Sequence, residues 1–231
     1  MDNQYSCSSR KAVVVYSGGM DSFTVLHHVR ALGYNAAAIS FNYGQRHSRE
    51  LECAAKVSAG LGIEHKIVDL SSIAGIFGDS ALTSTGTDVP EGNYGTENMK
   101  QTVVPNRNMV MLSLAVSYAL SKKADVVFYG AHAGDHVLYP DCRPEFVEAI
   151  NGVTRLCDWQ PVKVEAPWLH ASKADILRRG LAMELDYSDT WTCYNGRKHS
   201  CGRCSACLER LQAFAANQAC DPLIYEDQAP I

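Results

Sequence analysis

Short apolar runs alternate along the chain with longer segments in which apolar residues recur at helical spacing. The runs predict buried strands at 12–16, 36–41, 65–70, 125–129 and 162–165. The periodic segments predict helices at 22–32, 48–61, about 107–121, 144–156, from Ser172 onward and about 205–217. Because strands and helices alternate, the pattern predicts an α/β fold with a parallel sheet and helices on both faces.

Polar residues support two of the predicted helix starts. Ser48 precedes the second helix as a predicted N-cap. Ser172 and Asp175 have the spacing of a capping box. Residues 78–104 are different, since they are rich in Gly, Ser, Thr and Pro and have no sustained period. We predict a long loop or lid there.

Composition places the chain in a broad class. Its 231 residues are 46% hydrophobic and 20% charged, which suits one α/β core with a small appendage. The net charge of −4 disfavours a protein that coats nucleic acid, so we expect no stable nucleic-acid partner. No apolar run is long enough to cross a membrane, and the start MDNQYSCSSRK lacks the apolar core of a signal peptide. We therefore expect a cytoplasmic protein.

The stretch VVVYSGGMDS joins the first strand to the first helix, a junction where α/β folds bind ligands. Gly18 and Gly19 permit close backbone approach, and the next amides begin a helix, where anions bind. Asp21 would repel phosphate unless Mg²⁺ lies between them. The loop lacks a P-loop lysine, so it suits release of pyrophosphate and attack at the α-phosphorus, which is adenylation. The alternative is a tight turn without a ligand.

Several polar residues follow the predicted strands or begin predicted helices. They could meet at one edge of the sheet, where parallel strands end, or they could be solvated turn residues. For Lys173 a triphosphate contact and a solvated helix start are equally favoured. Together with Asp21, the catalytic or substrate-binding candidates are Arg46, His47, Arg107, Asn108, Asp135, Tyr139, Asp141, Arg143 and Lys173.

Nine cysteines occur in the chain, an odd number that does not suit a disulfide framework. Four of them crowd together, as Cys193, Cys201, Cys204 and Cys207. Four thiolates form a closed tetrahedral Zn²⁺ site, so we predict one structural zinc, with an iron–sulfur cluster as the alternative. We predict a division into an ATP-binding α/β domain at 1–185 and a zinc-binding lobe at 186–231.

The motif SGGMDS resembles the pyrophosphate loop of the ATP pyrophosphatase superfamily. With it, YGQRH, VPNRN, YPDCRPEF, TWTCYNG and CGRCSAC resemble the 7-cyano-7-deazaguanine synthase family, in its order, from residue 12 to about 217. The N-terminal extension (1–10) and residues 78–100 match no motif of that family.

This resemblance implies a Rossmann-like, adenine nucleotide alpha hydrolase-like sheet with a zinc-binding lobe, and a ligase that forms C–N bonds. It implies that 7-carboxy-7-deazaguanine, ammonia and two ATP give 7-cyano-7-deazaguanine, AMP and pyrophosphate, in queuosine biosynthesis. Mg²⁺ with ATP, a zinc at the four cysteines and a homodimer are implied too. The implied ATP contacts are Tyr16, Ser17, Gly18, Gly19, Met20, Asp21, Ser22, Phe23, Thr24, Val25 and Leu26.

Two other functions remain open at this point. One is a relative that couples an adenylated deazaguanine to DNA, tRNA or protein, which an extra domain or a basic surface would favour. The other is a zinc-stabilised nucleotide-binding module without catalysis. Loss of the loop aspartate would favour that module, but Asp21 is present.

Overall fold

The computed structural model describes residues 10–78, 80–83, 89–92 and 97–226. Over these ranges the strands form one parallel sheet in the order β3-β2-β1-β4-β5. The strands are β1 Lys11–Val15, β2 Asn35–Asn42, β3 His65–Asp69, β4 Val126–Phe128 and β5 Lys163–Glu165. Each strand begins and ends within one residue of its predicted bounds, so the predicted parallel sheet is confirmed.

Six α-helices accompany the sheet in the described ranges, as predicted. They are α1 Met20–Ala31, α2 Arg49–Gly60, α3 Arg107–Lys122, α4 Pro144–Thr154, α5 Lys173–Ala182 and α6 Ser205–Ala216. None of these helices is long and apolar enough to cross a membrane.

Helices cover both faces of the sheet because its strand residues are apolar on both sides. Val13 and Val127 pack in one core with residues of α3 and α4. Val14 and Phe128, on the opposite face, share a second core with residues of α1, α2, α5 and α6. The predicted two-sided architecture is therefore confirmed.

Local capping explains where α5 begins, but it does not explain where α2 begins. The Ser172 hydroxyl oxygen accepts from the Asp175 amide at 3.2 Å, and the Ser172 amide donates to the Asp175 carboxylate at 3.0 Å. This confirms the predicted capping box. Ser48 does occupy the N-cap position of α2, but its hydroxyl donates to Glu52 at 2.6 Å and caps no backbone amide.

The segment predicted as a loop or lid is irregular, and its described parts are packed into the molecule. Leu82, Met99 and Val104 are buried in the core on the α3 face. The Ala81 amide donates to the Gln101 carbonyl at 2.7 Å, which ties the two described stretches together. Residues 79, 84–88 and 93–96 lie outside the described residues. The described stretches thus form a packed wall.

The C-terminal part of the chain packs directly on the α/β core. Phe214 of α6 is buried in the core on the α1 face. Arg210 is fully buried; its Nε and Nη2 atoms donate to the Asp221 carboxylate at 2.7 and 2.9 Å, and its Nη1 atom donates to the Thr190 hydroxyl oxygen at 2.7 Å. A division of the chain at residue 185 stays a prediction.

The turn between β1 and α1 lies against the backbone of α2. Gly18 has a φ of +93°, and a Cβ there would lie 1.9 Å from the carbonyl oxygen of Glu50. The Gly18 carbonyl accepts from the Trp191 amide at 3.0 Å. Only glycine fits this contact, so the turn is fixed against α2 and the segment before the cysteines.

Replacing Gly18 by alanine tests this contact, with Gly33→Ala as the matched control. Gly33 also has positive φ, at +83°, but a Cβ there would meet nothing within 4 Å. We expect Gly33→Ala to cost about 1–2 kcal/mol of unfolding free energy from backbone strain. Gly18→Ala should cost about 1–3 kcal/mol more, because the methyl group overpacks. Equal losses in urea denaturation would contradict the account.

Candidate active site

A cavity of about 270 Å³ opens at the carboxyl edge of the sheet. Its walls come from the turn after β1, the turn after β2, the start of α3 and the residues after β4. Chain connections leave β1 and β4 towards opposite faces here, which is where open α/β sheets bind ligands. Leu82, from the packed segment between β3 and α3, closes one side of the cavity.

The turn after β1 holds its hydroxyl groups in a fixed arrangement. The hydroxyl oxygens of Ser17 and Ser22 are 3.0 Å apart, and the Ser17 amide donates to Ser22 Oγ at 3.2 Å. α1 begins at Met20 with no side-chain cap. The first amides of α1 therefore face the cavity edge without a capping side chain, an arrangement that binds anions.

The structure brings part of the predicted ATP-binding stretch to the cavity. Tyr16, Ser17, Gly19, Met20, Asp21 and Ser22 line the cavity, and Gly18 supports the turn from behind. The next residues do not line it. Phe23, Val25 and Leu26 are buried in the core, and the Thr24 hydroxyl lies 2.8 Å from the Tyr187 hydroxyl. Helical geometry turns them away from the cavity.

Asp21 lies at the centre of a buried charge cluster. Its Oδ2 atom lies 3.3 Å from Lys173 Nζ and 3.8 Å from His132 Nε2. Lys173 is only 7% exposed and also pairs with Glu209 at 2.5 Å. Lys173 is therefore not a solvated helix-start lysine. The buried Oδ1 atom of Asp21 has no partner among the described residues, which suits a bound cation such as Mg²⁺.

Two further predicted residues line the cavity after β4. Asp135 accepts from the His132 amide at 3.2 Å, and burial raises the pKa of its carboxyl group. The Tyr139 hydroxyl lies 3.1 Å from the Thr102 hydroxyl. His132 uses Nδ1 to accept from the Gly134 amide at 3.1 Å. Asp135 thus orders this turn and faces the cavity.

The opposite wall carries Arg107 and Glu50. Arg107 begins α3, and its guanidinium group lies 5.7 Å from the centre of the Tyr43 ring. Glu50 lies in the first turn of α2 and lines the cavity. Burial raises the pKa of Glu50 to about 7, and the positive charge of Arg107 opposes that rise. A carboxyl group with a raised pKa therefore faces the ligand space.

The remaining predicted residues divide into two groups. Arg46, His47 and Asn108 line the cavity. Asp141 and Arg143 are not part of its lining. Asp141 accepts from the Asn108 amide at 3.0 Å and so fixes the start of α3. Arg143 is exposed and donates to the His136 carbonyl at 2.8 Å.

Sequence reasoning missed Glu50 and Glu209 as site residues. Glu50 ends the stretch YGQRHSRE and enters the first turn of a predicted helix at the ligand edge, a signal that could have identified it. Glu209 had no such signal. It reaches the cluster only because α6 packs against α5.

The four clustered cysteines meet in a buried centre. Their sulfur atoms all lie within 4.8 Å of one another, and Cys201 Sγ and Cys207 Sγ are 3.9 Å apart. Sulfurs at the corners of a ZnS₄ tetrahedron with Zn–S of about 2.3 Å would be about 3.8 Å apart. Amides also donate to the sulfurs, from Cys201 to Cys193 and from Cys204 to Cys201, both at 3.3 Å. The centre could therefore hold a metal ion.

Trp191 joins this cysteine centre to the turn after β1. It is buried among the cysteines, and its indole nitrogen donates to the Cys193 carbonyl at 2.9 Å. Its backbone amide donates a hydrogen bond to the Gly18 carbonyl oxygen. The Trp191 side chain therefore packs with the cysteine centre. Tyr194 instead lines the cavity.

This fold and site define an α/β protein whose glycine- and serine-rich turn has the geometry of a phosphate-binding site. The family model "Queuosine biosynthesis protein QueC" matches residues 11–218, so the chain belongs to the QueC family. It is 59% identical to a 7-cyano-7-deazaguanine synthase of Chromohalobacter salexigens over 93% of this chain and 86% of that protein. It is 58% identical to one of Marinomonas sp. over 94% and 99%.

Solved structures are more distant. An NH3-dependent NAD synthetase from Campylobacter jejuni aligns with a TM-score of 0.45 and 21% identity, covering 78% of this chain and 66% of that one. A predicted subunit of a tRNA methyltransferase from Methanocaldococcus jannaschii aligns with a TM-score of 0.45 and 17% identity, covering 79% and 92%.

The raised pKa of Glu50 predicts a pH-dependent stability. The folded protein keeps this proton between about pH 4.5 and 7, where the unfolded chain has released it, so this group makes stability fall as pH rises through that window. The unfolding free energy of Glu50→Gln minus that of the parent protein should therefore rise between pH 4 and pH 8, by up to about 3 kcal/mol. Glu148→Gln, an exposed change on α4, should show no such trend. A pH-independent difference for Glu50→Gln in urea denaturation would contradict this assignment.

Proposed function

We propose that this chain converts 7-carboxy-7-deazaguanine and ammonia to 7-cyano-7-deazaguanine, with two ATP consumed. It is then a ligase of queuosine biosynthesis. The observation that carries the proposal is membership of the QueC family over residues 11–218, with relatives named 7-cyano-7-deazaguanine synthase over nearly all of the chain. The pyrophosphate-type turn at the cavity edge supports it.

The first half of the reaction replaces a poor leaving group. A carboxylate oxygen of the substrate attacks the α-phosphorus of ATP. A bond forms between that oxygen and the α-phosphorus, and the bond between the α-phosphorus and pyrophosphate breaks. The amides at the start of α1 and the Lys173 ammonium group stabilise the charge that grows on pyrophosphate. Ammonia then attacks the carbonyl carbon, the C–O bond to AMP breaks, AMP leaves with the electron pair, and one proton is released to give the amide.

The second half repeats the same group transfer on the amide. The amide oxygen attacks the α-phosphorus of a second ATP and pyrophosphate leaves. Loss of two protons and of AMP then leaves a C≡N bond. Mg²⁺ bound with ATP supplies charge neutralisation on the phosphates. Asp21 would hold it, since its buried Oδ1 atom lacks a partner among the described residues.

We further propose that the cysteine centre holds one structural Zn²⁺. Four sulfurs leave no open coordination position, so the ion stabilises the fold and takes no part in the chemistry. We expect elemental analysis of purified protein to give one zinc per chain and no absorption near 400 nm. Stoichiometric iron with visible absorption would instead establish an iron–sulfur cluster.

Partners and location follow from this function. ATP, 7-carboxy-7-deazaguanine and ammonia are the small-molecule partners, and the cytoplasm supplies ATP. A homodimer rests on family resemblance, and light scattering of the purified protein tests it. Coupling to a macromolecule is not favoured, because the matched relatives are synthases aligned over 86–99% of their length. A module without catalysis is not favoured for the same reason.

The function is tested by mass spectrometry of a reaction with ATP, Mg²⁺, ammonium and 7-carboxy-7-deazaguanine. We expect the nitrile, with two AMP per product. Asp21→Asn should lower the rate by about 100-fold or more, because the site loses the carboxylate that would hold Mg²⁺ at the phosphates. Glu148→Gln serves as the exposed control. An amide that accumulates with one AMP, or no AMP from folded protein, would overturn the proposal.

A further inference from the structure

Lys173 is held from a part of the chain remote in sequence. Its Nζ atom lies 2.5 Å from Glu209 Oε2, and Glu209 belongs to α6, whereas Lys173 begins α5. Both side chains are largely withdrawn from solvent, at 7% and 21% exposure. An ion pair in this setting is stronger and more fixed than one on the surface.

Glu209 is itself confined on its other side. A Cβ added to Gly134 would lie 3.0 Å from Glu209 Oε1 and 2.9 Å from the His132 ring. The carboxylate is therefore packed between α5 and the turn after β4. Glycine at position 134 leaves the space that this carboxylate and the His132 ring occupy.

The backbone that carries Glu209 is fixed at two adjacent points. Cys207, two residues earlier, belongs to the buried sulfur centre. Arg210, the next residue, is fully buried and bonded to Asp221 and Thr190. α6 thus presents Glu209 to α5 from a rigid base.

The arrangement leaves Lys173 between two carboxylates with different roles. Asp21, at 3.3 Å, lies at the phosphate-binding turn and would be engaged by a cation bound with ATP. Glu209 has no such competing ligand in the proposed reaction. Without Glu209, the Lys173 ammonium group would move towards Asp21 and oppose cation binding there.

We propose that Glu209 is a positioning residue that holds the Lys173 ammonium group at the phosphates of ATP. The sulfur centre, through α6, then helps to set the geometry of the nucleotide site. This inference rests on the proposed use of ATP but not on the identity of the acceptor substrate. Glu209 touches no reacting atom and acts only through Lys173.

A double-mutant cycle on Mg²⁺–ATP binding tests the proposal, measured by calorimetry on the metal-loaded protein without acceptor substrate. We expect Glu209→Gln to weaken binding about tenfold when Lys173 is present and less than twofold in a Lys173→Met background. Glu209→Asp should recover part of the loss. Equal weakening in both backgrounds would show a general structural effect, and no weakening would show that Glu209 has no role; either overturns the proposal.

Steady-state kinetics separate this proposal from the function itself. Glu209→Gln should raise KM for ATP about tenfold and leave KM for 7-carboxy-7-deazaguanine and the metal content unchanged. The Glu148→Gln control should leave all three quantities unchanged. Parallel rises in both KM values would contradict a role specific to phosphate. If the parent protein binds ATP but forms no nitrile, the proposed function fails and the calorimetric cycle still decides the role of Glu209.

Discussion

The close approach of Gly18 to the backbone of α2 is the constraint on which the site depends. The turn after β1 passes so near the Glu50 carbonyl that no side chain fits. That same contact fixes Ser17, Ser22 and the first amides of α1 relative to the sheet. It also places the Glu50 side chain on the cavity wall beside the turn. The bond from Trp191 to Gly18 extends this rigid junction to the cysteine centre.

Buried charge is the second organising feature, and each cation is matched by acceptors. Lys173 has Asp21 and Glu209, and Arg210 has Asp221 with two threonines. Burying such groups costs several kcal/mol per ion, and removal of one partner leaves the other uncompensated. Arg210 anchors α6 through these bonds, whereas Lys173 places its positive charge at the ligand cavity. Glu209 and Arg210 are adjacent residues of α6, so the anchoring of this helix and the placement of Lys173 are linked there.

Local signals in the sequence predicted much of this molecule. Apolar periodicity identified the five strands and six helices, and the Ser172–Asp175 spacing identified the capping box at α5. Cysteine spacing identified the buried sulfur centre. These features depend on neighbours in sequence, so a single chain suffices to predict them.

Features set by packing between distant segments were harder to predict. Phe23 lies beside the phosphate turn in sequence, but the first turn of α1 directs it into the core. Asp141 looked like a ligand acceptor and instead bonds the start of α3. Glu209 joins the site only through the contact of α6 with α5. The segment at 78–104 had no period, yet its residues Leu82, Met99 and Val104 are buried because they fill the core beside α3.

The proposed reaction requires the same cavity to transfer AMP twice, each time to an oxygen atom of one substrate carboxylate. Oxygen-18 in both positions of that carboxylate tests this directly, with the AMP, pyrophosphate and nitrile analysed by mass spectrometry. We expect one oxygen-18 in each of the two AMP molecules and none in pyrophosphate. Label in pyrophosphate or water, or one AMP without label, would contradict double adenylation.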